Sequence, residues 1–255
     1  MEAVETLPLG KQIMLPCIFA GNFCIMPMAK SLTKNQRADP EKMAELLLLW
    51  YRPTTKTYSE GIYSFARQGR TKKTPGMLYY SYIKQEMDSL FNATTLRPEY
   101  AEMEKMALDM WKNGCEKYEN THFWSYHFLH GDLHSGNIVS FRGEYHLIDW
   151  ECFRTGPKEM ELAFYLCWDY FCHPDYPRTL QDMLEEADIF YEKRLISKEE
   201  QERILYFLIP MWMLILVLYL NNGHLRMEEE RREICKKIIL QYKKEIFDPH
   251  ITASS

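Results

Sequence analysis

The sequence has no CxxC pair, and its 7 cysteines are odd in number. Disulfide frameworks and zinc sites need paired or clustered thiols, so neither is indicated. Only Cys172-His173 comes near ligand spacing, and no further donor stands close to it. Free thiols in a reducing, cytoplasmic setting fit this pattern, and no secretory signal pattern opens the sequence. An excess of positive charge is also missing: 31 Lys and Arg face 36 Asp and Glu, for a net charge of -5. A nucleic-acid partner is therefore not favoured. The basic clusters Arg70-Thr71-Lys72-Lys73 and Arg231-Arg232 are short and read as solvated faces. Internal repeats and low-complexity tracts are absent. Long apolar runs are scarce, the exception being Ile204–Leu220, ILYFLIPMWMLILVLYL. That run sits at the lower edge of a membrane span and is interrupted by Pro210. A buried core helix kinked at Pro210 is the expected reading, with a membrane anchor as the alternative.

What is present is an ordinary globular composition, 46% hydrophobic and 26% charged over 255 residues, enough for one large or two small domains. Two short strands are expected at Gln12–Ile18 and Phe23–Pro27, joined by a turn at Ala20-Gly21-Asn22. Helices are expected at Glu41–Tyr51, behind Asp39-Pro40, at Tyr58–Gln68, Met77–Phe91 and Pro98–Tyr118. Between Phe123 and Asp149 the pattern changes to short apolar runs separated by Gly-containing loops: Tyr126–Leu129, Ile138–Phe141 and Tyr145–Ile148. Arg142-Gly143-Glu144 makes a tight hairpin between the last two. Four helices follow, Lys158–Phe171, Thr179–Leu195, Lys198–Leu220 and Leu225–Phe247.

The chemistry is concentrated in His130-Gly131-Asp132-Leu133-His134-Ser135-Gly136-Asn137, followed by Leu147-Ile148-Asp149-Trp150-Glu151. The pattern HGDLHxGN, a hairpin and IDWE resembles the aminoglycoside phosphotransferases and their choline and homoserine kinase relatives. The downstream Gly156-Pro157-Lys158-Glu159-Met160-Glu161-Leu162-Ala163 resembles a further segment of that family, with Glu161 where Asp is usual. The resemblance implies an α+β, protein-kinase-like fold: a mainly helical C-terminal lobe with a catalytic β-hairpin, and a remnant of the N-terminal β lobe. It implies that Asp132 orients the acceptor hydroxyl and receives its proton, and that Asn137 and Asp149 bind Mg²⁺. It gives His130 a supporting role through hydrogen bonds. For His134 two roles stay open, charge neutralisation at the transferred phosphoryl and packing.

The same resemblance calls for a nucleotide lobe ahead of the helical body, with a strand lysine and a phosphate-covering loop. Only about 25 residues of this sequence precede the expected hinge, and Gly10-Lys11 lacks the strand and glycine-rich context. Residues 1–28 are thus expected to be the last two strands and hinge, and 29–255 the helical lobe. Met26, Met28 and Ile148 are expected at the adenine of ATP or GTP. Three origins stay open: a start at an internal methionine of a longer reading frame, a natural remnant, and a lobe reduced or supplied by a partner.

Acidic and aromatic residues supply the acceptor candidates: Trp150, Glu151, Trp168 and Asp169 first, with Glu159, Tyr165, Tyr170 and Asp175 beside them. An acidic rim suits a polyamine sugar, and an aromatic cage suits a quaternary amine. Helical spacing makes core packing the competing reading for Tyr165, Trp168 and Phe171. The expected function is transfer of the γ-phosphate of a nucleoside triphosphate to a small-molecule hydroxyl. The alternative is a catalytically weak or inactive kinase-like binding protein.

Overall fold

The computed structural model describes residues 18–20, 23–25, 29–32, 38–51, 85, 88–89, 95–118, 127–152, 154–171, 178–221 and 229–248. Met26, Met28, Asp175, the chain before Ile18, the expected helix over 58–68 and most of that over 77–91 lie outside the described residues. Strand β1 (Ile18–Ala20) pairs antiparallel with β2 (Phe23–Ile25), Ile18 opposite Ile25. Ala20, expected in the turn, therefore ends the strand: a register that sets Ala20 against Phe23 needs paired residues right up to the reversal.

Helix α1 (Pro40–Trp50) begins where Asp39 caps it, accepting from the Glu41 amide at 3.0 Å and the Lys42 amide at 3.4 Å. Pro40 in the first turn forfeits only an amide that has no helical partner. Met43, Leu46, Leu47 and Trp50 recur at helical spacing and are buried. Helix α2 (Pro98–Tyr118) buries Tyr100, Met103, Ala107, Met110, Trp111 and Gly114 in the same way.

Strand β3 (Lys30–Ser31), which the sequence does not announce, forms the edge of a sheet ordered β3-β5-β6, with β5 (Ile138–Phe141) and β6 (Glu144–Leu147). A second unannounced strand, β7 (Arg154–Gly156), pairs with β4 (His127–Leu129). This pairing brackets the motif: β4 leads into it and β7 leads out.

Helix α3 (Lys158–Phe171) follows, then α4 (Leu180–Glu192), started by a capping box between Thr179 and Asp182. Helix α5 runs from Lys198 to Asn221 and opens on a capping box between Ser197 and Glu200. It is long and apolar enough to cross a membrane, with mean hydropathy 2.1 over its most apolar window. That window is 78% buried, because α2 and α3 pack along it. An all-round apolar helix is what a core position demands.

Pro210 is accommodated by a π turn over Ile204–Leu208, immediately before it. The Ile209 amide reaches back to the Ile204 carbonyl. At the same spacing the Leu205 carbonyl would meet Pro210, which has no N–H. The Tyr242 hydroxyl donates to that carbonyl instead. Helix α6 (Glu229–Tyr242), continued by a second π turn over Lys243–Phe247, brings that tyrosine in. Gly114 of α2 lies where the π turn comes closest: a Cβ there would stand 2.5 Å from the Tyr206 carbonyl oxygen.

Candidate active site

The site is built on the β5–β6 hairpin, whose register runs from Phe141 opposite Glu144 back to Ile138 opposite Leu147. Its two-residue loop, Arg142-Gly143, has φ of 55° and 86°, the positive pair of a type I′ turn. At the open end the Ile148 amide donates to the Asn137 carbonyl at 3.0 Å, extending the ladder by one step. Asn137 and Asp149 are thereby brought to the same end of the hairpin. Asp149 has φ 62°, a left-handed conformation that costs a non-glycine residue about 1–2 kcal/mol. Asp149 is exposed there, two residues past the end of β6.

Two buried residues hold the hairpin end. His130 is fully buried, and its Nε2 lies 2.7 Å from the Ile148 carbonyl. A carbonyl only accepts, so Nε2 carries the proton. Burial lowers the pKa of His130 and keeps the ring neutral, which agrees with that assignment. Trp150 donates from its indole to the Leu147 carbonyl at 3.0 Å and packs edge-on against Trp50 at 4.9 Å. It is 4% exposed, so its ring belongs to the core and has little surface for the acceptor contact expected of it. Glu151 follows in a short 3-10 turn, and its side chain is outside the described residues.

The loop between β4 and β5 carries the rest. The Gly131 amide donates to Glu161 of α3 at 2.5 Å, and the other oxygen of Glu161 accepts from the Tyr51 hydroxyl at 2.6 Å. Glu161 thus links the end of α1 to the residue before Asp132. Asn137 lies at the end of a single 3-10 turn, Ser135–Asn137, that follows His134. Its amide nitrogen donates to the Asp132 carbonyl at 2.8 Å and approaches Asp132 Oδ2 at 3.4 Å. His134 accepts from the Gly136 amide at 3.0 Å through Nδ1 and sets Nε2 3.6 Å from Asp132 Oδ2. A Cβ on Gly136 would stand 2.8 Å from the His134 ring, so a larger residue there would push the imidazole out of this position. The His134 contact is the largest cause that lowers the Asp132 pKa, and burial opposes it.

Of the acceptor candidates, Trp168 is half-buried, its ring 5.9 Å from His134 and 5.4 Å from Phe164. Asp169 is 5% exposed and accepts from the Ser135 hydroxyl at 2.8 Å. Glu159 and Tyr165 are buried in ion-pair and hydrogen-bond partnerships, Glu159 with Arg203 and Tyr165 with Glu186. Tyr170 is also buried. Tyr51 and Ser135 escaped the sequence reading. Tyr51 lies 110 residues from Glu161, and no local pattern joins them. Ser135 fills the variable position of the motif.

A cleft of about 670 Å³ opens at the turn end of the hairpin, between Lys42 and Leu46 of α1 and Phe141, Arg142, Tyr145 and His146. Its lining reaches along β6 as far as His146, three residues or about 10 Å of strand before Asp149.

Among the described residues, no group of three or more His, Cys, Asp or Glu side chains is gathered to hold a metal. The donors at the open end of the hairpin are the carboxylates of Asp132 and Asp149 and the Asn137 amide oxygen, left as acceptor while its nitrogen donates to Asp132. Hard oxygen donors in small number fit Mg²⁺, which takes its remaining ligands from water and phosphate.

The helical body built around this hairpin has a kinase-like fold. The model of the phosphotransferase enzyme family matches residues 101–195. Methylthioribose kinase of Exiguobacterium sibiricum is 28% identical over 110 residues, spanning 43% of this chain and 25% of that protein. A choline/ethanolamine kinase family protein from Mesorhizobium loti superposes with a TM-score of 0.59 at 12% identity, covering 98% of this chain and 80% of its own. A thermostable mutant of the aminoglycoside phosphotransferase APH(4)-Ia, in ternary complex with ADP and hygromycin B, gives a TM-score of 0.51 at 16% identity. That match covers 89% of this chain and 77% of the other. The kinase-like fold expected from the motifs is the fold found.

Proposed function

We propose that this chain transfers the γ-phosphoryl group of a nucleoside triphosphate to a hydroxyl of a small molecule. The observation that carries the reading is the arrangement around Asp132. Asn137 bonds to the Asp132 backbone and approaches its carboxylate, while the hairpin returns Asp149 to the same end. Phosphoryl transfer asks a protein chiefly for position and charge compensation.

In this reading Asp132 orients the acceptor hydroxyl and takes its proton. Its lowered pKa keeps it a carboxylate at neutral pH. His134, 3.6 Å away, holds the carboxylate in place and is available to offset charge on the transferred group. Asn137 and Asp149 hold Mg²⁺, which when bound neutralises phosphate charge. His130 fixes the backbone of Ile148, and with it the residue before Asp149. Adenine contacts near Met26, Met28 and Ile148 belong to the same proposal. The relatives support a metabolite or antibiotic hydroxyl as acceptor, and Trp168 is the aromatic candidate with an exposed face beside His134.

Calorimetry of nucleotide binding with and without Mg²⁺ tests the reading. Wild-type protein is expected to bind ATP or GTP saturably, with Asp149→Ala weakening binding at least tenfold. No binding at millimolar nucleotide would overturn the reading in favour of a kinase-like binding module.

A further inference from the structure

We infer that Asp169 is a positioning residue that anchors the catalytic turn through Ser135, and not a contact for the acceptor. The inference rests on the proposed phosphotransfer for its kinetic consequence, but not for its structural one. Asp169 lies on α3, eight residues beyond Glu161, about 12 Å along the helix. Glu161 holds the Gly131 amide ahead of Asp132, and Asp169 holds the Ser135 hydroxyl behind it. One helix therefore grips the loop on both sides of the proposed base.

The second grip acts on the turn that matters. Ser135 opens the 3-10 turn Ser135–Asn137, so its tether sets the rotation of that turn about the chain. On the near side His134 faces Asp132 at 3.6 Å; on the far side Asn137 donates to the Asp132 carbonyl at 2.8 Å. Rotating the turn moves both contacts together. A single hydroxyl–carboxylate bond between two buried residues, 6% and 5% exposed, is shielded from competing water. Its anchor is itself embedded in charge: Arg178, bonded to Glu186 and Tyr165, has its own charged form favoured by Asp169. A carboxylate so placed has its near oxygen engaged and almost no surface to offer a ligand.

The test compares Asp169→Ala, Asp169→Asn and Ser135→Ala with wild type, and the Ser135→Ala/Asp169→Ala double variant. Amide hydrogen exchange is read first at Gly136 and Asn137, whose N–H groups bond to His134. Faster exchange there in Asp169→Ala and Ser135→Ala, with Leu162 to Leu166 of α3 unchanged, is the expected result. Asn at 169 still accepts from Ser135 and restores most of the protection. In transfer assays kcat falls by about 10- to 100-fold in Asp169→Ala with acceptor KM unchanged, because a misplaced turn costs orientation and not affinity. The double variant is no worse than Asp169→Ala alone, since both substitutions remove one bond.

A raised acceptor KM at unchanged kcat would make Asp169 an acceptor contact. Additive losses in the double variant, or unaltered exchange at Gly136 and Asn137, would each overturn the anchor. If wild-type protein transfers nothing, the proposed function fails, and the exchange comparison still decides the anchor.

Discussion

Asp149 concentrates the tension between stability and function at the scale of one residue. Its φ of 62° is disfavoured for any side chain with a Cβ, yet an exposed carboxylate stands there. Asp149→Gly relieves that strain, and glycine's larger unfolded-state entropy offsets part of the gain. The expected outcome is stability unchanged or raised by up to about 1 kcal/mol in chemical denaturation, together with loss of Mg²⁺-dependent nucleotide binding by calorimetry. Asp132 supplies a pH test. Its pKa is lowered, chiefly by His134, so the carboxylate persists until pH falls below the usual carboxylate range. The acid limb of kcat/KM should therefore lie low. His134→Ala removes the largest lowering influence and moves that limb upward. An acid limb that stays in place in the variant would show that another group governs it.

Elements differ in how much of them the sequence discloses. Helices α1, α2 and α3 and strand β5 follow from caps, prolines and apolar spacing, because those signals lie within the element itself. Strands β3 and β7 were invisible: two or three residues each, they exist only because β5 and β4 offer an edge to pair with. The π turn before Pro210 was also out of reach, since its remedy is the Tyr242 hydroxyl from another helix. The site divides likewise. Asp132, Asn137 and Asp149 stand out as a spaced motif, whereas Tyr51 and Asp169 act through contacts that only folding creates. Close packing between elements gives a direct prediction. A methyl group at Gly114 would meet the Tyr206 carbonyl at 2.5 Å and the Phe207 Cα at 2.9 Å, both backbone and unable to swing aside. Gly114→Ala should destabilise by about 1–3 kcal/mol, read as a lower denaturation midpoint at unchanged m-value. A neutral result would mean that α2 and α5 can separate without cost.

Across the whole molecule, buried charge ties the helices to one another. Arg203 of α5 reaches Glu159 of α3 at 3.3 Å, and Arg178 pairs with Glu186 of α4. Burial works against the charge on Arg178, and Glu186, Tyr165 and Asp169 together outweigh it. Removing one member strands the other. Arg178→Met alone should cost about 3–5 kcal/mol, and adding Glu186→Leu should return much of that loss. Equal destabilisation by the single and double variants would refute this account. Helix α3 has a consequence in time as well as in space. The two α3 carboxylates that hold the loop, Glu161 and Asp169, enter the chain after it and after Asp149. On the ribosome the hairpin can close as soon as it emerges, its contacts being local. Until α3 is made, on the order of seconds later, the loop that bears Asp132 has its own turn and the His130 contact to Ile148, but neither carboxylate of α3. During that interval the nascent chain carries every residue of the motif and lacks the helix that holds the loop on both sides, so the order of synthesis puts the signature ahead of its anchor.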